Sequence, residues 1–231
     1  VLFVFYTHNI ENDRGILDAE EMHHCIHVLR HKVGDSIHVT DGLGHLYTCR
    51  INSVSKSNVS FTVENSESKP IPGECCCVAM ALTKSMDRME WFVEKAVELG
   101  VSDVVFYQSQ RSERSKINAE KLKKTAIAAM KQARHCYLPN IRIYTSLSEL
   151  LAENEDFAHK FVAFCHLPCR PLADFLPDAG SKLIVIGPEG DFSPQEVAFA
   201  LGSGLQEVAL GTTILRAETA AVVAAALLKL I

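Results

Sequence analysis

No apolar stretch in this 231-residue chain is long enough to cross a bilayer. The most apolar one, AAVVAAALLKLI at the C-terminal end, is broken by Lys229 and falls well short of the roughly 20 residues a span needs. The opening VLFVFY has no basic flank and does not read as a signal peptide. A soluble, cytoplasmic protein without membrane partners is expected. Nucleotide-phosphate signatures are missing too. There is no glycine loop ending in Lys-Ser/Thr, and Gly202-Ser203-Gly204 lacks a third glycine and precedes a strand pattern, so it reads as a helix stop. Metal sites are poorly provided. Cys165 and Cys169 have no second pair at zinc spacing, and His23, His27 and His31, which can share a helix face, lack a fourth ligand and acidic partners. No metal is expected. A disulfide framework is excluded by the adjacent Cys75-Cys76-Cys77, so the eight cysteines read as reduced thiols.

Positive charge is also in short supply: 23 Lys and Arg against 28 Asp and Glu, net −5. Taken alone, that argues against a nucleic-acid partner. The distribution argues otherwise. Residues 71–145 carry 12 basic and 8 acidic side chains, whereas the segments on either side are net acidic. Eight of those basic residues fall within 111–134, opposed only by Glu113 and Glu120. Such a patch fits either a bound polyanion or a solvated helix face.

What is present has two rhythms. Residues 1–70 hold short β-branched and aromatic runs, VLFVFY, SIHVT, LYTCRI and NVSFTVE, with Gly34-Asp35 and Asp41-Gly42 as turn signals and one helix expected over 18–31. That spacing predicts a small barrel. The polar, proline-containing segment 64–74 reads as a linker. From residue 75, apolar strands alternate with helices, which predicts a parallel sheet covered on both faces. Met89, Phe92, Val93 and Ala96 form one helical stripe closed by Gly100. Ser193-Pro194-Gln195-Glu196 is a capping box with proline at the first helical position. The last helix is apolar nearly all round, so it lies deep in the core or against a second subunit.

Ligands of open α/β sheets gather at the carboxyl ends of strands. Three loops qualify: His166-Leu167-Pro168, Gly187-Pro188-Glu189-Gly190, and Gly211 to Arg216. The middle one loses an amide to proline and carries a carboxylate, which disfavours phosphate. It suits a neutral or cationic ligand, such as an adenosyl group on a sulfonium, or it is a tight turn that binds nothing.

Five motifs lie in order: HHCIHVLRHKVGD (23–35), DRMEWFVEKAVELGV (87–101), SERS (112–115), IGPEGDFSPQEV (186–197) and LGTTILRAETA (210–220). Together they resemble the RsmE family of 16S ribosomal RNA uridine-N3 methyltransferases, within the SPOUT superfamily, over nearly the whole chain. The resemblance implies an α/β protein with an N-terminal PUA-like β-barrel that binds RNA, residues 1–70. It implies a C-terminal SPOUT domain, residues 71–231, with a parallel sheet and a trefoil knot that binds S-adenosyl-L-methionine. It also implies a homodimer acting on 16S rRNA in the small ribosomal subunit. Two departures stand out. Asp191 replaces a family glycine after GPEG, and Lys131-Gln132-Ala133-Arg134-His135 stands where the family often has Glu-Gln-Ser-Gly-Arg.

Carried onto this chain, the cofactor would be held by His166, Leu167, Ile186, Gly187, Pro188, Glu189, Gly190, Leu210, Gly211, Ile214, Leu215 and Ala220. Arg216 is the first candidate to stabilise negative charge on the uridine carbonyl oxygens; a loop-locking ion pair is its structural alternative. Glu218 or Glu189 would take the N3 proton or orient a ribose, although Glu218 also fits simple charge complementation at a helix start. RNA contacts would come from Arg30 and Lys32 in the barrel, then Lys84, Arg111, Arg114, Lys121, Lys123 and Lys124. Two other readings stay open: a same-fold methyltransferase for another RNA, and a non-catalytic ribosome assembly factor.

Overall fold

The computed structural model describes residues 3–69, 74–113, 116–164, 169–176 and 179–230. The chain forms two compact units, Val1–Pro72 with Ile127–Leu138, and Gly73–Ala126 with Pro139–Ile231.

The β-branched runs of the first unit become β1 (Val4–Tyr6), β2 (Ile10–Glu11), β3 (Arg14–Leu17), β4 (Ser36–Thr40), β5 (His45–Val54) and β6 (Val59–Ser68). They make one sheet in the order β1-β4-β5-β6-β3-β2. The β1–β4 pair is parallel and the others are antiparallel. Period-two alternation buries Ile37 and Val39, Cys49 and Ile51, and Val59 and Phe61 around Phe5, Leu17 and Cys25. Two expectations are corrected here. The segment 64–74 is not linker throughout, because β6 continues to Ser68, which pairs with His45; a two-stranded extension exposed to water suits its polar side chains. The helix over 18–31 is not uniform. Asp18 caps α1 (Ala19–Met22), which widens into a π-helix over His23–Val28 and ends at Leu29. Arg30 then turns left-handed at φ 61°. His31 therefore leaves the helix and packs edge-on against Phe5, while only His23 and His27 stay side by side, 5.2 Å between ring centres.

From residue 74 strands and helices alternate as expected: β7 (Cys76–Ala81), α2 (Met86–Glu98), β8 (Asp103–Tyr107), α3 (Ala119–Ala133, which passes from the second unit into the first at Ile127), β9 (Asn140–Tyr144), α4 (Leu147–Ala152), β10 (His159–Ala163), a 3-10 turn (Leu172–Phe175), β11 (Lys182–Ile186), α5 (Pro194–Gly202), β12 (Gln206–Val208) and α6 (Ala217–Leu230). The sheet is parallel throughout, in the order β12-β10-β11-β7-β8-β9. Every residue of β7, β8 and β11 is buried, so these strands read as unbroken apolar runs rather than alternating ones. The α2 stripe of Met89, Phe92, Val93 and Ala96 is fully buried, each large side chain contributing about 1.5–3 kcal/mol. α6 packs on β7, β11 and α2, burying Ala217, Ala220, Ala221, Ala224 and Ala225. Small side chains let this helix lie close to the central strands. The seven described cysteines are all free thiols.

Candidate active site at the strand ends

β12, β10 and β11 are neighbours in a parallel sheet, so the loops leaving their carboxyl ends share one edge. Hydrogen bonds tie the segments that follow β10 and β12 together. Phe164 N–H donates to the Val208 carbonyl at 3.1 Å. Ala209 N–H donates to the Arg170 carbonyl, and Leu172 N–H to the Ala209 carbonyl, both at 2.9 Å.

The Gly187–Gly190 loop is built tightly. The Ile186 carbonyl accepts the buried Tyr107 hydroxyl at 3.0 Å. A Cβ on Gly187 would lie 2.9 Å from the Phe192 ring, so only glycine lets that ring fold over the loop. Asp191 N–H closes the turn onto the Pro188 carbonyl at 3.0 Å. Asp191 takes φ 61°, a left-handed conformation, and its carboxylate accepts from Phe192 N–H at 2.8 Å. The helix that follows is capped as the sequence predicts, with Ser193 and Glu196 in a reciprocal capping box. Glu196 is 5% exposed, and its two oxygens accept from Gln110 N–H and Ser193 N–H, each at 2.9 Å. Burial works to raise the Glu196 carboxyl, but the backbone N–H groups of Ser193 and Gln110 and the Ser109 and Ser193 hydroxyls hold it below the ordinary carboxylate range.

Arg88 is the residue the sequence did not single out. It stands in the first turn of α2, where the helix dipole favours an anion. Its Nη1 lies 3.0 Å from Glu189 Oε1, and its Nε lies 3.5 Å from Glu218 Oε1. One guanidinium thus joins the middle loop to the first turn of α6. The Lys84 backbone N–H adds a 3.2 Å bond to Glu189. The Glu189 carboxylate is therefore paired, which weakens its repulsion of anions.

Glu218 is 7% exposed, and its Oε2 has no hydrogen-bond partner among the described residues. Arg216 is exposed and makes no ion pair among the described residues, so the loop-locking alternative is not formed there. Its carbonyl accepts from Ala220 N–H at 2.8 Å, starting α6. Gly211 is exposed, Leu210 and Leu215 are half-buried, and Ile214 is 84% exposed. His166, Leu167 and Arg114 lie outside the described residues.

The basic candidates divide by unit. Arg30 and Lys32 are exposed in the first. In the second, Arg111 Nη1 donates to the Gly190 carbonyl at 2.9 Å, fastening the cofactor-loop candidate rather than standing free. Lys84 Nζ lies 3.0 Å from Glu113, and Lys121 Nζ lies 2.6 Å from Glu90. Lys123 and Lys124 are exposed on α3.

Against known proteins, the model of an RNA methyltransferase domain matches residues 72–229, and that of an RNA methyltransferase PUA domain matches residues 17–64. Ribosomal RNA small subunit methyltransferase E of Bacillus subtilis is 31% identical over 219 residues, 88% of this chain and 85% of its own. The crystal structure of a probable rRNA-methyltransferase from Porphyromonas gingivalis is 38% identical and superposes with a TM-score of 0.91 over 99% of each chain. The Neisseria gonorrhoeae ribosomal RNA small subunit methyltransferase E, crystallised with S-adenosyl methionine, shares the fold at 24% identity, with a TM-score of 0.82 over 98% of this chain and 96% of its own. With its methyltransferase and PUA domains matched in order, and its relatives aligned along most of its length, the chain belongs to the ribosomal RNA small subunit methyltransferase E (RsmE) family.

Proposed function

We propose that the chain transfers a methyl group from S-adenosyl-L-methionine to N3 of a uridine in 16S rRNA of the small ribosomal subunit. The observation that carries this reading, beside family membership, is the Arg88 clasp between Glu189 and Glu218 at the shared edge of the strand-end loops. It leaves one buried carboxylate oxygen of Glu218 without a hydrogen-bond partner among the described residues. Such an acceptor calls for a ligand that brings donors, as ribose hydroxyls and an ammonium do. A phosphate, rich in acceptors and anionic, would leave it unsatisfied.

When bound, S-adenosyl-L-methionine supplies an electrophilic methyl on a sulfonium. The residues of the chain do the rest. Ile186 to Gly190 and Leu210 to Leu215 offer backbone groups for the adenosyl part, with His166, Leu167 and Ala220 as further candidates. Arg216, without an ion pair among the described residues and at the mouth of the third loop, is suited to hold the charge that spreads over the uridine carbonyl oxygens once N3 loses its proton. Glu218 offers its open oxygen to that proton or to a ribose hydroxyl. Glu189 is committed to Arg88 and is the weaker candidate.

The finer architecture belongs to the same proposal. Residues 1–70 act as a closed PUA-like RNA-binding barrel and residues 71–231 as the SPOUT domain. The chain end threads as a trefoil knot. In support, α6 follows the edge strand β12 yet packs on the central β7 and β11. A homodimer and a cytoplasmic location complete the reading. The dimer is supported by the apolar character of α6, and a sedimentation mass near 25.5 kDa instead of twice that would refute it. Calorimetry with S-adenosyl-L-methionine, ATP and NAD tests the cofactor: heat is expected only from the first, and heat from a phosphorylated nucleotide alone reverses the assignment.

A further inference from the structure

A concavity opens at the other half of the same sheet edge. It has a volume of about 370 Å³ and lies where β8 and β9 end against α5. Its walls include Gln108, Gln110, Ser148, Gln195, Glu196 and Phe199. Three features set it apart from a plain surface groove. The carboxamides of Gln108, Gln110 and Gln195 make no hydrogen bond among the described residues. Phe199 is 45% exposed, one helical turn from Gln195, so a ring face and a carboxamide stand on one face of α5. The Glu196 carboxylate at the wall already accepts from Gln110 and Ser193. It keeps its negative charge and turns phosphate away.

This chemistry selects a flat, neutral ligand with both donors and acceptors at its edge. Carboxamides pair with base edges, and an open phenyl ring stacks on a base. The cleft also adjoins the catalytic loops through covalent neighbours. Gln110 precedes Arg111, which holds Gly190, and Gln195 and Glu196 follow the Gly187–Gly190 loop into α5. We propose that the cleft takes one unpaired nucleobase of the substrate RNA flanking the target uridine, with Phe199 as the stacking face and Gln110 and Gln195 as the edge readers. The proposal rests on the RNA methyltransferase reading above. It gives that site a sequence-reading element that lysine contacts to phosphate do not supply.

The test uses the full chain and small ribosomal subunits from a strain lacking the modification. Phe199→Ala and Gln110→Ala/Gln195→Ala are each expected to raise KM for the particle roughly tenfold, in line with the loss of one stacked base. Binding of S-adenosyl-L-methionine, read by calorimetry, stays at the wild-type value. Phe199 replaced by p-benzoylphenylalanine and irradiated on the particle should cross-link to one rRNA nucleotide, mapped by a reverse-transcription stop beside the methylated uridine. An unchanged KM with a cross-link only to protein overturns the proposal while wild-type turnover upholds the parent reading. No turnover by the wild type refutes the parent reading, and with it the place of the base beside a target uridine.

Discussion

Asp191 and Arg134 carry the two left-handed conformations that matter most for this chain, φ 61° and 58°. Both stand at places where, by the motif resemblance, the family often has glycine. A residue with a Cβ pays about 1–2 kcal/mol in that region, less for aspartate, whose side chain bonds locally. The Asp191 carboxylate does so, accepting from the next backbone N–H. Glycine would relieve the strain but add freedom to the unfolded chain, a loss of about 0.5–1 kcal/mol. The double variant Asp191→Gly/Arg134→Gly is thus expected to gain about 1 kcal/mol or less, a rise in Tm of roughly 2–4 °C, read by differential scanning calorimetry. A fall in Tm would mean that the aspartate and arginine side chains stabilise more than glycine relieves. At the same scale, Arg88 shows why part of the site escaped the sequence. Its role depends on two carboxylates from distant segments, Glu189 and Glu218, which only the folded chain brings to one guanidinium.

Elements were legible where a local pattern decides them. The β7–β12 alternation, the α2 stripe and the α5 capping box follow from apolar runs, helical period and cap chemistry, which tertiary packing then reinforces. Less was visible where the signal is short. The β2–β3 hairpin turns through Asn12-Asp13, both left-handed, a two-residue turn of the kind hairpins favour. Its strands are too brief and polar to announce themselves. The π-helix over His23–Val28 has no compositional mark at all. The capping box of α5 gives a pH prediction. Because the folded state holds the Glu196 carboxyl below its ordinary value, its contribution is present above about pH 4.3 and is lost as pH falls through that lowered value. Glu196→Gln should therefore melt below wild type at about pH 7, and the gap should close as pH falls through the lowered value. A gap independent of pH would show that the ionised form is not what caps α5. On α3, Lys121, Lys123 and Lys124 are all exposed, and Lys121 forms an ion pair with Glu90. Changing Lys123 to Ala should lower the logarithmic salt slope of binding to small subunits by roughly 0.9. Changing Lys121 should lower it less, and equal effects would refute that division.

Across the whole molecule, the two rhythms of the sequence become two sheets, one mostly antiparallel and one parallel. The parallel sheet could be read because buried strands lack alternation. Its strand order could not, since nothing in β10, β11 or β12 tells a reader that β11 inserts between β10 and β7. That insertion sets the carboxyl ends of β10, β11 and β12 side by side, where the candidate site is proposed. The central claim is that this edge methylates N3 of a uridine in 16S rRNA with Arg216 holding the developing charge. Small subunits from a strain lacking the enzyme, incubated with S-adenosyl-L-methionine and either the wild-type protein or Arg216→Ala, test it by mass spectrometry of the digested rRNA. The account predicts N3-methyluridine at one position with the wild type, and at least a hundredfold slower appearance with a folded Arg216→Ala protein. No N3-methyluridine with the wild type, or equal rates with both proteins, would contradict it.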